Sequence, residues 1–200
     1  MRKYADDRRW ADQFIPEIKR IVGPLLLIEA PFEVDTKQAA DLITLKVKDL
    51  TIACRVRGRE YLGRYGWEFT LRLKRDSGAK TEMEKILEGW GNWMFYGFAA
   101  FNDDHKAGFA RRFLIDLSAW RLNVGDAARS RRLVKGEAPN GDGTYFAWFD
   151  LRSFPPEPRI LIASSEVILP PTNDKKPGAP INKGAFPLFD ESIILEAIDR

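Results

Sequence analysis

Apolar residues recur at three- and four-residue spacing near the start of the chain. Trp10, Phe14, Ile18 and Ile21 stand among charged neighbours, the pattern of one face of an amphipathic helix. Pro16 falls inside this stretch, so it either kinks the helix or marks its true first turn, and Gly23-Pro24 stops it. Leu25 to Ile28 is a short apolar run that suits a helix end or a strand equally well. Beyond the polar connection from Glu29 to Ala40, the period changes to two. Residues 41–47 and 50–57 each alternate and are separated by a turn near Lys48-Asp49, which predicts a hairpin. A loop with Gly58, Gly63 and Gly66 leads to a third strand over 67–74. There Glu68, Thr70, Arg72 and Lys74 share one face, and Phe69, Leu71 and Leu73 the other. Thr81-Glu82-Met83-Glu84 has the spacing of a capping box, with Met83, Ile86, Leu87 and Trp90 as the apolar stripe of the helix it opens. Residues 93–99 form a strongly apolar strand in which Gly97 signals a bulge or a close backbone approach. Further strands are predicted over 112–117, 145–151 and 160–163, and no internal repeat is present.

The fold class that follows is α+β or α/β: a central mixed β-sheet with flanking helices and extra C-terminal strands. Residues 1–165 make one domain. Eight of the twelve prolines lie between Pro155 and Pro187, so 166–200 reads as a Pro-rich extension whose apolar patch, Phe186 to Ile198, docks as a short segment.

Composition narrows the function classes. With 200 residues, 44% of them apolar, the chain is long enough for a real core. No run is long and apolar enough for a membrane span, and residues 1–7 do not read as a signal peptide. A single cysteine, Cys54, permits no internal disulfide and fits a reducing compartment, the cytoplasm. Its alternation with Ala53 predicts that it packs inward. A single histidine, His105, in a polar and solvent-exposed turn, argues against zinc fingers and histidine-rich metal sites. The net charge of +3 is only mildly basic, but its distribution is uneven. Between Thr51 and Lys80 stand eight basic residues against three acidic ones, interleaved with Tyr61, Tyr65 and Trp67. Arginine among aromatic rings grips phosphates and stacks on bases; the same composition also makes a solvated strand face beside ordinary core aromatics.

The element order helix, three strands, helix, strand resembles the αβββαβ core of the PD-(D/E)XK nuclease superfamily, over about residues 7–100. The resemblance implies that Asp41 and Glu68 are the metal-ligating acids, with Glu17 as the acid contributed by the helix. Hard oxygen ligands of this kind hold Mg²⁺, which activates water and steadies the leaving oxygen. Two residues after Glu68 the family carries lysine and this chain carries Thr70. Arg72 and Lys74 lie farther along the same face, and Lys80 is positioned to swing in as the third catalytic group. The strings over 40–43, 52–57, 67–72, 81–86, 89–91 and 95–98 are also similar to an uncharacterised group of bacteriophage and prophage proteins, which implies a phage context and a host-cell cytoplasmic setting.

Two functions follow. The first is a Mg²⁺-dependent DNA phosphodiesterase with Asp41 and Glu68 on the metal, Lys80 as the third catalytic group beside the scissile phosphate, and Arg55, Arg57, Arg72 and Lys74 on the DNA. The second is a non-catalytic phage accessory or anti-host-defence protein that binds DNA or a host protein with the same fold. On the second reading Glu68 is salt-bridged across the sheet to Arg55 or Arg57. Asp116 and Asp150 sit within apolar strands, where an acid needs a partner; the run Arg129 to Arg132 is the candidate.

Overall fold

The computed structural model describes residues 4–29, 42–44, 50–75, 80–130, 135–140 and 144–166. The extension 166–200 therefore lies, but for Glu166, outside the described residues, as does Asp41. Helices α1 (Tyr4–Asp12) and α2 (Ile15–Val22) divide the first apolar stripe, with Pro16 in the first turn of α2. A proline there gives up an N–H that has no helical partner in any case. A 3₁₀ turn over Gly23–Leu26 then hands the chain to β1 (Leu27–Glu29), so the Leu25 to Ile28 run is turn first and strand second.

β1 pairs antiparallel with β2 (Leu42–Thr44), and β3 (Ile52–Arg57) pairs elsewhere. Among the described residues, 42–44 and 52–57 therefore do not form the expected hairpin; residues 41 and 45–49 of it lie outside the described residues. β3 lies parallel to β5 (Trp93–Ala99), which pairs antiparallel with β6 (Phe109–Asp116), which in turn pairs with β9 (Leu161–Ser164). Two parallel strands need a long crossover. The one between β3 and β5 carries α3 (Leu62–Tyr65), β4 (Glu68–Arg75) and α4 (Glu82–Leu87). β4 leaves this mixed four-stranded sheet altogether and joins β8 (Thr144–Asp150) and β7 (Lys135–Asn140) in an antiparallel one. The architecture is mixed α+β with flanking helices.

β5 shows why the 93–99 run is apolar throughout. Met94, Tyr96 and Phe98 enter a core shared by both sheets with Phe69, Leu71, Phe113, Trp120 and Phe149. Phe95 and Ala99 enter a second core with Phe14, Ile18 and Val22 from the helices. A strand covered on both faces has no polar side to alternate with. Gly97 meets the expectation of close approach, since a Cβ there would meet the ring of Phe109 within 2.7 Å. Thr81 caps α4 and exchanges both capping-box bonds with Glu84. Gly89 and Gly91, at φ +95° and +75°, carry the chain out of that helix in a conformation that favours glycine.

The sequence reading passes over α5 (Leu117–Ser130). Asp116 ends β6, and its carboxylate accepts hydrogen bonds from the Ser118 and Ala119 N–H groups, 2.7 and 2.9 Å away. Its partners are therefore backbone donors at a helix start. Leu117, Trp120 and Val124 form the buried stripe. Two other expectations are corrected. Cys54 is exposed, beside Ile52 at a shallow apolar groove under α2, on a strand that is an edge strand among the described residues. His105 lies on a 3₁₀ turn, half-buried, with its ring edge-on to Phe14 at 6.4 Å. No helix among the described residues is long and apolar enough to cross a membrane.

Candidate nucleic-acid interface

The chain from Arg57 to Glu68 leaves the four-stranded sheet and enters the three-stranded one. It turns through Gly58, a 3₁₀ turn at Arg59–Tyr61 and α3, and each tight step is lined by arginine and aromatic residues. The Arg57 guanidinium lies 4.3 Å from the Tyr61 ring centre, and that of Arg64 lies 5.3 Å from Tyr65. Tyr61 and Tyr65 are themselves 6.4 Å apart. Trp67, next along, carries the Arg111 guanidinium of β6 at 4.1 Å and that of Arg152 at 5.9 Å. Gly66 makes this crowding possible, because a Cβ there would meet both the Leu62 carbonyl and the Arg111 guanidinium. Arginine stacked on a ring keeps its in-plane donors available at the rim, which suits it to phosphate oxygens.

Glu68 begins β4 beside this ridge and is 8% exposed. It stands opposite Asp150 in the β4–β8 register. Asp150 is 1% exposed and is satisfied by Arg152, whose Nε and Nη2 lie 2.9 and 2.6 Å from its two carboxylate oxygens. The sequence leaves Asp150 in search of a partner, and the structure supplies Arg152, two residues on; the side chains of the 129–132 run lie outside the described residues. Burial, and then the charge of Asp150, push the Glu68 carboxyl up to about 7, against the pull of Arg152, Arg64 and Arg57. Glu68 is thus a carboxyl poised to exchange a proton near neutrality and surrounded by guanidinium groups.

The other expected site residues are distributed differently. Arg55 belongs to a separate network. It donates to the Thr70 carbonyl at 2.7 Å and hydroxyl at 3.1 Å, and it pairs with Glu82, which also accepts the Arg72 N–H at 3.2 Å. The Thr70 hydroxyl shares a hydrogen bond with that of Tyr96. At the position where the nuclease family carries lysine, this chain therefore has a buried hydroxyl that ties β4 to β3 and β5. The single guanidinium cluster around Glu68 expected from Arg55, Arg57 and Arg72 is split, and only Arg57 acts on Glu68. Lys80 is paired with Glu88, at 2.6 and 2.8 Å from its carboxylate oxygens. Lys74 continues β4 beyond a register shift after Arg72. Glu17 binds Arg20 through both oxygens, at 2.7 Å each, and that hydrogen bonding holds its carboxyl below the usual range.

Among the described residues no three Asp, Glu, His or Cys side chains gather as a metal site. Glu68 and Asp150 bring two carboxyls together, but Arg152 already holds both Asp150 oxygens, so a divalent ion would have to displace a guanidinium. Arg111 and Arg152 are absent from the sequence-based site. The one local signal for Arg152 is its position two residues after an acid in an apolar strand. Nothing local marks Arg111, which reaches Trp67 from another strand while paired with Glu166 at 2.9 and 2.8 Å. Comparison with protein-family models, with curated proteins and with solved structures finds no match to this chain.

Proposed function

We propose that this protein binds nucleic acid, DNA in the first place, along the ridge from Arg57 to Trp67. The observation that carries the reading is the run of three stacked arginine–aromatic pairs, Arg57 on Tyr61, Arg64 on Tyr65 and Arg111 on Trp67, at one junction between the sheets. Guanidinium groups contact phosphates, and the partly exposed ring of Tyr61 offers a face for a base. The test is binding of labelled single- and double-stranded DNA over a salt series. A steep fall of affinity with salt is expected, and Arg57→Ala with Arg64→Ala should flatten the log–log slope by about one per lost phosphate contact. Binding that ignores both salt and these substitutions refutes the reading.

A second reading has one observation in its favour, the opposition of Glu68 and Asp150. A Mg²⁺-dependent phosphodiesterase with Glu68 on the metal would use that acidic corner, in a phage or anti-defence setting; Asp41, the other ligand of that reading, lies outside the described residues. Its test is cleavage of the same DNA with Mg²⁺ or Mn²⁺, lost in Glu68→Gln; no metal-dependent cleavage of any substrate rejects it.

A further inference from the structure

Among the side chains described, three aromatic ones are exposed, and two of them stand at the same edge of the four-stranded sheet. β3 and β5 run parallel with Arg57 opposite Phe98, so the chain leaves both strands on one side. Tyr61, 38% exposed, follows Arg57 there, and Phe101, 60% exposed, follows Phe98. Trp90 precedes β5 and belongs to the opposite edge. Asn102 ties the two loops together: its side-chain oxygen accepts the Arg59 N–H and its side-chain nitrogen donates to Glu60, at 2.7 Å each. Its main-chain carbonyl accepts from the Trp10 indole at 2.9 Å, and the Ala100 N–H donates to the Gly108 carbonyl at 2.9 Å. Both chain neighbours of Phe101 are thus fixed, while its ring is held in solvent at the edge that carries the Arg57–Tyr61 stack.

We propose that the ligand of the ridge is single-stranded nucleic acid, with unpaired bases stacking on Phe101 and Tyr61 while Arg57 contacts the backbone. The inference rests on the nucleic-acid reading above and adds the class of substrate and a second stacking residue. In a duplex each base face is covered by the next pair, so an exposed ring has nothing to stack on. In a single strand every base offers a face. The Arg57 guanidinium lies over the Tyr61 ring at 4.3 Å, which places a phosphate-binding fork next to a stacking platform. The charges around Phe101 favour the same choice. Glu60, Asp103 and Asp104 are exposed there, against Arg59 and Lys106. A duplex brings a second row of phosphates to this edge, which the carboxylates repel, whereas a single strand meets it with uncharged bases. Because the backbone on both sides of Phe101 is already fixed, little further ordering is needed on binding.

The experiment is fluorescence anisotropy at one salt concentration with three labelled probes: an oligothymidylate, a blunt duplex, and a strand of the same length made of abasic sites. The native chain should bind the oligothymidylate about tenfold or more tightly than the duplex or the abasic strand, which keeps the phosphates and lacks the bases. The abasic comparison needs no variant. Phe101→Ala should weaken the oligothymidylate by about five- to hundredfold, the range of one stacked base, and leave the other two probes unchanged. Phe101→Trp should retain binding, and Phe101→Leu, equally apolar but without a π face, should lose it as alanine does. With the ring 60% exposed, all three variants should melt with the native chain. Equal binding of single strand and duplex, equal binding of the abasic strand, or oligothymidylate binding that Phe101→Ala does not weaken overturns the inference and leaves the nucleic-acid reading standing. Absence of binding to every probe overturns both.

Discussion

Glu68 makes stability depend on pH in a direction opposite to that of most carboxylates. In the unfolded chain its carboxyl has the ordinary value of 4.5, and in the folded chain about 7. Between these two values the unfolded chain has released the proton that the folded chain still holds, so each rise in pH favours unfolding. The penalty is absent below about pH 4.5, grows through the window and is complete above about pH 7. At roughly 1.36 kcal/mol per pH unit the interval corresponds to about 3 kcal/mol in the limit of a fully enclosed group. Burial is the first cause, and three arginines already oppose it, so relaxation and solvent at the carboxyl edge reduce the expected effect to about 1–2 kcal/mol. Gln has nearly the same shape and cannot ionise. Glu68→Gln should therefore match the native chain near pH 4.5 and exceed it by that amount at pH 8. Urea unfolding followed by tryptophan fluorescence at several pH values measures the difference directly. A difference that stays constant from pH 5 to 8, or a native chain that gains on the variant as pH rises, would refute the account of a desolvated carboxyl facing Asp150.

Three further outcomes check the framework around the site. Arg152→Ala strands Asp150, 1% exposed, without its counter-ion and should cost about 3–5 kcal/mol in urea unfolding; Arg152→Lys should recover only part of this, since it cannot make the paired contact. Gly97→Ala drives a methyl group into the ring of Phe109 and should cost about 1–3 kcal/mol, read as a fall in melting temperature. Thr81→Ala removes the capping-box acceptor at the start of α4 and should cost about 1 kcal/mol.

Local chemistry made much of the fold legible, and long-range pairing explains most of what was not. The capping box at Thr81 and the proline in the first turn of α2 rest on contacts within a few residues, the strand over 93–99 on an uninterrupted apolar run, and each is present. The strand pairing was a different matter. Two alternating segments separated by a polar turn suit a hairpin, yet β3 takes β5 as its partner, and the sequence between them holds a strand committed to another sheet. Helix α5 was hidden because Leu117 closes an apolar strand pattern and also opens a helical one; Asp116, which caps the helix, was the available signal.

The candidate site divides along the same line. Arg57, Tyr61, Tyr65, Trp67 and Glu68 were visible because they come from one short stretch of chain. Arg111 and Arg152 come from β6 and the turn after β8, and no spacing rule links them to Trp67 before the sheets are assembled. Thr70 shows how assembly changes the meaning of a residue. On an isolated strand it shares a face with Glu68 and marks a missing lysine. In the folded chain that face is enclosed: its hydroxyl meets Tyr96 and Arg55, and 94% of the residue is out of solvent. A lysine there would bury its ammonium beside the Arg55 guanidinium, at a cost of several kcal/mol. The same enclosure raises the proton affinity of Glu68, one alternation earlier on β4 and nearer the surface. One strand face thus carries both a structural tie between the sheets and a carboxyl whose proton affinity burial has raised.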